Sequence, residues 1–396
     1  MKFRQISVFF SPFFLGVFLS LIILFLLNYQ NLEQKLLSPL GVGSQNIMEK
    51  VPSEKPIMGF LPYWNVGDAQ IHYELIDQLA YFALNFNQDG TIEKVQNHIA
   101  EPGWNKLNSE KTETIFEKAR KNNVKLVFVF TAFDNKVIDK LIADKKTQQT
   151  AIKEIETMVK KYDLDGVNID FEYNSAKESH ENATNLYADF LKNLKKKLKA
   201  INPDLKISVD LYVNAFIKND PYDIQLLKDQ ADYLVMMGYD FYRPSSAFAG
   251  PVAPLKADNE PSISSALAKA LAKGINPDQI ILAMPFYGYQ WQTKTLDYKS
   301  ATIAKSGFMA SYERTLKLIE EQNLEVNWDN NSMSPWVAFE ENNKNYQIYF
   351  ENDQSLGLKL QLIKQADLAG VTIWALGYEG ENASIWEVIK NWRKNN

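Results

Sequence analysis

The sequence contains the stretch Asp165-Gly166-Val167-Asn168-Ile169-Asp170-Phe171-Glu172, a turn followed by a short run in which apolar and polar residues alternate. In a β-strand, side chains two positions apart share a face, so Asn168, Asp170 and Glu172 point to one side and their apolar neighbours to the other. Carboxylates are costly to bury unless they are paired or used in chemistry, so this row indicates a functional site. The alternative is a solvated edge strand whose polar residues face water.

The composition is that of an ordinary folded protein with 396 residues, 46% of them hydrophobic and 23% charged. A formal net charge of −5 gives no support for nucleic-acid binding, because lysines and acids are interspersed as on solvated helix faces. The absence of Cys excludes disulfides, thiolate metal sites and Cys nucleophiles. His72, His98 and His180 are scattered without ligand spacing, so neither a Ser-His-Asp triad nor a His-based zinc site is predicted.

The amino-terminal region is predicted to be a membrane segment. Lys2 and Arg4 precede an uncharged run rich in Phe, Leu and Ile, which is long enough to span a bilayer as a helix and longer than a typical signal-peptide core. We expect a cytoplasmic tail at 1–5, a transmembrane signal anchor at 6–30 and a polar linker at 31–56. The two basic residues would hold the amino end in the cytoplasm and place the rest of the chain outside. Cleavage of a signal peptide, followed by secretion, is the alternative.

From residue 57 onward, apolar segments alternate with helical patterns. The segments lie at 57–61, 79–86, 125–131, 165–172, 206–212, 233–237, 279–284 and 370–374. Between them run apolar stripes at helical spacing, such as Leu186, Phe190 and Leu194. Continuous apolar strands alternating with helices indicate an α/β fold with a parallel sheet covered by helices. We predict a closed (β/α)8 TIM barrel over 57–396, with an open doubly wound sheet as the alternative.

A barrel of this kind should collect its functional groups at the carboxyl ends of the strands. Acids and aromatic residues occur at these positions in the sequence: Tyr63, Trp64, Asp170, Glu172, Tyr239, Asp240, Tyr287 and Trp374. Any one of these aromatic residues could simply be packing. Several of them on one rim, beside carboxylates, are suited to sugars, which have apolar C–H faces and hydroxyl edges. The sequence therefore predicts a carbohydrate-binding cleft.

The connection after the seventh strand is far longer than a usual βα loop. It contains a helical pattern at 311–321 and β-like runs at 336–339 and 346–349. We expect 289–350 to form a small α+β insertion subdomain between strands 7 and 8 that walls one side of the cleft. Its aromatic residues, among them Trp328, argue against a disordered insert.

Four motifs, in order, resemble those of glycoside hydrolase family 18, the chitinase-like family. The stretch from Asp165 to Glu172 is similar to its signature Asp-Gly-x-Asp-x-Asp-x-Glu. Met237-Gly238-Tyr239-Asp240 resembles the family's Met-x-Tyr-Asp at strand six, and Met284-Pro285-Phe286-Tyr287-Gly288 resembles its Pro-Phe-Tyr-Gly at strand seven. Trp374 stands where the family has a tryptophan at strand eight. The resemblance covers about 57–392 and includes the position of the insertion.

The resemblance implies a retaining hydrolase in which the substrate's own 2-acetamido group is the nucleophile. It implies that Glu172 protonates the leaving glycosidic oxygen and then activates water, while Asp170 orients the acetamido group and stabilises an oxazolinium-like intermediate. Tyr239 would hydrogen-bond the acetamido oxygen, Asp240 would bind substrate, and Trp374 would pack beneath the reacting sugar. No metal or organic cofactor is implied. The other candidates for substrate contact are Asn168, Tyr63, Trp64, Met237 and Tyr287.

The sequence departs from the family pattern at two places. Asn168 replaces the second acid of the signature, as it does in bacterial cell-wall-hydrolysing relatives. Because Asn cannot share a proton with Asp170, we expect a pH dependence different from that of an all-Asp site. Strand three ends in Phe-Thr-Ala-Phe-Asp at 130–134, where many chitinases have Ser-x-Gly-Gly. We therefore expect a cleft shaped differently from one that takes crystalline chitin.

The sequence thus predicts a membrane-anchored, outward-facing hydrolase of β-1,4 bonds next to N-acetylglucosamine, in chitin-type oligosaccharides or in peptidoglycan. We expect a monomer without a nucleic-acid partner. The competing class is a catalytically silent, lectin-like protein on the same fold, but such relatives commonly lack the acid equivalent to Glu172. An unrelated barrel enzyme would have to match Tyr239-Asp240 and Trp374 by chance.

Overall fold

The structure is a computed structural model that describes residues 55–173, 181–381 and 384–394. The predicted cytoplasmic tail, the predicted transmembrane segment at 6–30 and nearly all of the linker lie outside the described residues. Among the helices of the described ranges, none combines the length and the apolar composition that crossing a bilayer requires.

A closed barrel of parallel strands forms the body of the protein. Its strands are β1 (Ile57–Pro62), β2 (Gln78–Asn85), β3 (Lys125–Ala132), β4 (Gly166–Phe171), β5 (Lys206–Tyr212), β6 (Tyr233–Met237), β7 (Ile280–Pro285) and β8 (Gly370–Trp374). Each strand pairs in parallel with the next, and β8 closes the barrel against β1, where Val371 lies opposite Ile57. The predicted TIM barrel is confirmed, and the open doubly wound sheet is wrong.

The alternation of β4 has the predicted orientation. Asn168 and Asp170 point into the barrel, whereas the apolar row points outward and is almost fully buried under helices. The ring of Phe171 lies 5.5 Å from that of Tyr187 and 5.4 Å from that of Phe190, centre to centre. Burying a side chain of this size contributes about 1.5–3 kcal/mol. These contacts fix the face of β4 that carries the acids.

Helices cover the outside of the barrel, and several of them begin at side-chain caps. The longer ones are Glu110–Lys121, Asn135–Ala143, Lys145–Tyr162, Ala183–Lys199, Ile263–Ala272, Asp353–Gln365 and Ser384–Lys394; the shorter ones are Pro102–Leu107, Val213–Lys218 and Ile224–Leu227. Asp144 caps the helix that follows it by accepting a hydrogen bond from the Thr147 N–H at 2.9 Å. That helix ends at Asp163, which has a left-handed φ of 48°.

The insertion between β7 and β8 is a subdomain with its own core, as predicted. A five-stranded antiparallel sheet has the order Phe308–Ser311, Tyr287–Thr293, Lys344–Tyr349, Ser334–Glu341, Asn327–Asp329. The helix Tyr312–Gln322 packs on this sheet, with Leu316 and Ile319 against a cluster that includes Val337 and Ile348. The predicted helix and two predicted strands are confirmed, and the other three strands were not predicted.

Candidate active site

A cleft of about 450 Å³ opens at the carboxyl ends of the barrel strands. Of the residues predicted from the sequence, those that line it are Tyr63, Trp64, Asp170, Glu172, Met237, Tyr239, Asp240, Tyr287 and Trp374. The lining residues that were not predicted are Phe82, Ala83, Asn85, Phe133, Asp210, Tyr212, Tyr289, Met309 and Tyr378. Met309, Tyr287 and Tyr289 come from the insertion sheet, which walls one side as expected.

Asp170 and Glu172 form a hydrogen-bonded pair of carboxyl groups in this cleft. Asp170 is 3% exposed near the end of β4, and Glu172, just past the strand, is half-buried. Burial raises the pKa of both groups, because an ionised carboxylate loses its water there. The charges of Glu172 and Asp210 raise the pKa of Asp170 further, to well above its usual range. Both shifts favour the protonated form of the pair, which is the form that a general acid requires.

A second hydrogen bond to Glu172 comes from a residue that was not predicted. The hydroxyl of Tyr212, at the end of β5, donates to Oε2 of Glu172. This bond lowers the pKa of Glu172 and so opposes the effect of burial, because it stabilises the carboxylate. The guanidinium of Arg243 lies 5.2 Å from the centre of the Tyr212 ring, and its charge also lowers the pKa of Glu172. The carboxyl of Glu172 thus lies between Asp170 and Tyr212.

Asn168 lies deeper in the barrel and does not line the cleft. Its Nδ2 donates to Ser208 Oγ at 3.0 Å and to Asp210 Oδ1 at 2.7 Å. Burial raises the pKa of Asp210 to about 8, and the hydrogen bond from Asn168 opposes that rise. The side-chain amide is therefore directed at Asp210. An effect of Asn168 on pH dependence would act through Asp210, whose charge raises the pKa of Asp170.

Asp240 is held in place by two tyrosines of the insertion. The hydroxyls of Tyr287 and Tyr289 both donate to its Oδ1, the second at 2.7 Å. A left-handed φ of 60° at Asp240 turns the chain sharply after β6. The neighbouring Tyr239 ring lies 6.0 Å from that of Tyr287, centre to centre. Burial raises the pKa of Tyr239 well above its usual value, so its hydroxyl remains a hydrogen-bond donor.

Aromatic rings surround Trp374, which is half-buried at the end of β8. Its ring centre lies 4.6 Å from that of Phe82, 5.7 Å from that of Phe60 and 6.4 Å from that of Trp64. Trp64 and Phe133 remain 43% and 41% exposed at the rim. Phe133 belongs to the strand-three segment that departs from the family pattern, so this departure does place a bulky ring in the cleft.

The inward row of β5 is the part of the site that the sequence analysis missed. Asp210 and Tyr212 share a face with Ser208, and the residues between them, Val209 and Leu211, are buried on the other face. The signal was available, because the run alternates polar and apolar residues as β4 does. Because β5 was interpreted only as an apolar strand, Asp210 and Tyr212 were not predicted as site residues.

In the described ranges, no cluster of His, Asp and Glu side chains has the arrangement to hold a metal ion. The acids of the cleft are hydrogen-bonded instead to tyrosine hydroxyls, to the amide of Asn168 and to one another. What this arrangement can do by itself is transfer protons.

The cleft contains a proton donor with a raised pKa next to a second carboxyl group, together with aromatic rings that suit the apolar faces of sugars. Glycosidic bonds are cut by carboxyl groups arranged in this way. The fold and the site define a glycoside hydrolase. The chain belongs to the glycosyl hydrolases family 18, whose family model matches residues 56–379. The resemblance found in the sequence is confirmed.

The chain is similar to several relatives and to solved structures of this kind. It is 26% identical over 305 residues to a probable di-N-acetylchitobiase 2 of Dictyostelium discoideum, covering 69% of this chain and 77% of that protein. It is 24% identical over 353 residues to a cortical fragment-lytic enzyme of Bacillus anthracis, covering 85% and 73%. A GH18 chitinase from Cycas revoluta in complex with (GlcNAc)3 has a similar structure, with a TM-score of 0.73 at 19% identity over 85% of this chain and 99% of that one. At that identity the structural likeness supports the fold.

Proposed function

We propose that the protein is a membrane-anchored, retaining hydrolase of β-1,4 linkages next to N-acetylglucosamine, in chitin-type oligosaccharides or in peptidoglycan. The observation that carries this proposal is the hydrogen-bonded pair Asp170 and Glu172, which lines the cleft together with Tyr239. The relatives support the substrate class, because they are named as a di-N-acetylchitobiase and as an enzyme that is lytic for cortical fragments.

The first step is departure of the leaving sugar. Glu172 gives its proton to the glycosidic oxygen, and the bond between that oxygen and the anomeric carbon breaks. The acetamido oxygen of the same N-acetylglucosamine attacks the anomeric carbon from the opposite face and forms a cyclic oxazolinium ion. This step requires the proton shared by the pair to lie on Glu172, which leaves Asp170 ionised.

Ionised Asp170 then faces a developing positive charge. Its carboxylate accepts a hydrogen bond from the acetamido N–H and stabilises the cation electrostatically. Because Asp170 is only 3% exposed, water does little to weaken this interaction. Tyr239, whose hydroxyl stays protonated, donates to the acetamido oxygen and orients it for attack. Both contacts strengthen as charge develops, so they favour the transition state over bound substrate.

The second step restores the enzyme. Glu172, now a carboxylate, takes a proton from a water molecule, and the resulting hydroxide attacks the anomeric carbon and opens the oxazolinium ring. The acetamido group is regenerated, and the β configuration is kept because two inversions have occurred.

The anomer formed first tests this mechanism. We expect proton NMR during hydrolysis of a chitin oligosaccharide to show the β-anomer of the new reducing end before mutarotation produces the α-anomer. Initial formation of the α-anomer would mean direct attack by water and would refute substrate assistance.

The membrane anchor is a proposal based on the uncharged run at 6–30. A linker at 31–56 would let the barrel reach glycan strands at a distance of roughly 30 Å from the bilayer, the typical span of a flexible chain of that length.

A further inference from the structure

We propose that Arg243 makes this cleft selective for glycans that carry a carboxylate close to the cleaved bond. This inference rests on the function proposed above and specifies its substrate as an acidic N-acetylglucosamine polymer.

The main chain of Arg243 is fixed at the rim of the cleft. It follows β6 by a few residues, its N–H donates to Ser246 Oγ at 2.9 Å, and its carbonyl oxygen accepts a hydrogen bond from Trp291 Nε1 at 3.2 Å. Trp291 is fully buried in the insertion sheet. The loop therefore holds the main chain of Arg243 in a defined position next to the cleft.

The guanidinium group contacts two residues that line the cleft, Tyr212 and Asp240, and its ion pair with the second is a long one. It lies over the ring of Tyr212, and its Nε donates to the main-chain oxygen of Asp240 at 3.3 Å. The side-chain carboxylate of Asp240 is farther away, with 4.0 Å between Nε and Oδ2. The other oxygen of that carboxylate already accepts hydrogen bonds from Tyr287 and Tyr289. The Arg243 side chain remains 48% exposed, so its outer nitrogens are accessible to a ligand.

A cation at this position is unexpected for an enzyme of neutral glycans alone. The titratable groups that line the cleft are acids and tyrosines: Asp170, Glu172, Asp210, Asp240, Tyr63, Tyr212, Tyr239, Tyr287, Tyr289 and Tyr378. Ionised acids in this set would repel a carboxylate on the substrate. A guanidinium offers paired N–H groups in the planar geometry that a carboxylate accepts, and this interaction offsets the repulsion.

The position of Arg243 places its charge close to the cleaved bond. Tyr212 donates a hydrogen bond to Glu172, and the guanidinium of Arg243 lies over the ring of that tyrosine. Its charge also lowers the pKa of Glu172. A carboxylate on a sugar next to the cleaved bond, or on a peptide attached to that sugar, is therefore the group that Arg243 recognises.

Two soluble polymers that differ in charge test this selectivity. The full-length protein in membrane vesicles is assayed on carboxymethyl chitin and on neutral glycol chitin, and the readout is the ratio of the two kcat/KM values. Because a hydrogen-bonded charge pair is lost, we expect Arg243→Gln to lower this ratio roughly tenfold. Arg243→Lys keeps the charge and should lower the ratio by no more than about threefold. Lys317→Gln removes a lysine whose side chain is 71% exposed on the insertion helix, and it should leave the ratio unchanged.

The outcomes separate the inference from the proposed function. An equal loss on both polymers in Arg243→Gln would show that the residue only positions Tyr212 and Asp240, and would overturn the inference while leaving the proposed function standing. A wild-type protein that cleaves neither polymer would overturn both. Glycan strands with free lactyl carboxylates and strands with intact stem peptides form two further arms. If Arg243→Gln lowers the kcat/KM ratio for strands with free lactyl carboxylates, the lactyl group is the one that Arg243 recognises. If it lowers the ratio only for strands with intact stem peptides, the peptide carboxylates are recognised.

Discussion

Residues around Glu172 shift the pKa of this acid in opposite directions. Burial and the charge of Asp240 raise the pKa of Glu172, whereas Tyr212, Asp170 and Arg243 lower it. A general acid near neutral pH must be protonated before the reaction and ionised after it. Influences that both raise and lower the pKa of Glu172 therefore suit its proposed roles as proton donor and then as base. The hydrogen bond from Tyr212 is the strongest of the lowering influences.

Tyr212→Phe should move the alkaline limb of the pH profile. The substitution removes a hydrogen bond that stabilises ionised Glu172, so the pKa of Glu172 rises and the protonated form persists to higher pH. We expect the descending limb of kcat/KM to shift to higher pH, while the circular dichroism spectrum stays that of the wild type. A limb that stays in place or shifts to lower pH would show that Tyr212 does not stabilise the carboxylate.

Among the individual site residues, the sequence predicted the inward-facing acids of β4 and missed the inward-facing side chains of β5. Asp170 and Glu172 stand out because acids at the end of an apolar strand have no structural reason to be there. Asp210 and Tyr212 have the same alternation but lack a matching motif. Arg243 could not be placed, because its position depends on a loop whose path is set by hydrogen bonds to Ser246 and Trp291.

The insertion is joined to the helix that precedes β8 by a buried ion pair. Glu351 follows the final insertion strand, and Lys359 lies in the helix Asp353–Gln365. Lys359 Nζ donates to Glu351 Oε2 at 2.7 Å, both side chains are fully buried, and Ser355 Oγ donates to the same oxygen at 2.8 Å. These contacts hold the wall of the cleft against the barrel.

Removing one member of this pair should cost more stability than removing both. Glu351→Leu leaves the Lys359 charge buried without a partner, which typically costs 3–5 kcal/mol, whereas Glu351→Leu with Lys359→Met replaces the pair by apolar side chains and should recover much of that loss. Denaturant unfolding of the three proteins measures both values. A double variant as unstable as the single one would indicate that packing, and not the unpaired charge, determines the cost.

Strands were predicted correctly where their limits are visible in the neighbouring sequence. The predicted bounds of β5, β6 and β8 agree with the structure, because each apolar run is limited by turns or polar residues in the sequence itself. The insertion strand Tyr287–Thr293 was missed. It pairs with Lys344–Tyr349, more than 50 residues away, and such a long-range partner leaves no local signal.

At the scale of the whole molecule, barrel closure brings together residues that are far apart in the chain. Tyr63 and Trp374 line the same cleft although more than 300 positions separate them. The sequence predicted this, because parallel strands alternating with helices place all their carboxyl ends on one rim. The amino-terminal segment at 6–30 stays a prediction, since it lies outside the described residues.

Fractionation of cells that produce the full chain tests the anchor. We expect the protein in the membrane fraction, retained after washing with high salt and released by detergent, because the proposed anchor at 6–30 would hold it there. A version lacking 6–30 should no longer fractionate with membranes. A soluble extracellular protein whose first residue lies beyond 30 would instead establish the cleaved signal peptide.

Glu172→Gln removes the side chain that we propose as the proton donor to the glycosidic oxygen. Turnover of a chromogenic N-acetylglucosamine oligomer should fall by a factor of roughly 10²–10⁴, while the affinity for that oligomer, measured by calorimetry, is retained. Glu260→Gln, which alters an acid whose side chain is 52% exposed, should keep the wild-type rate. A Glu172→Gln protein that turns over the substrate at the wild-type rate would contradict the account.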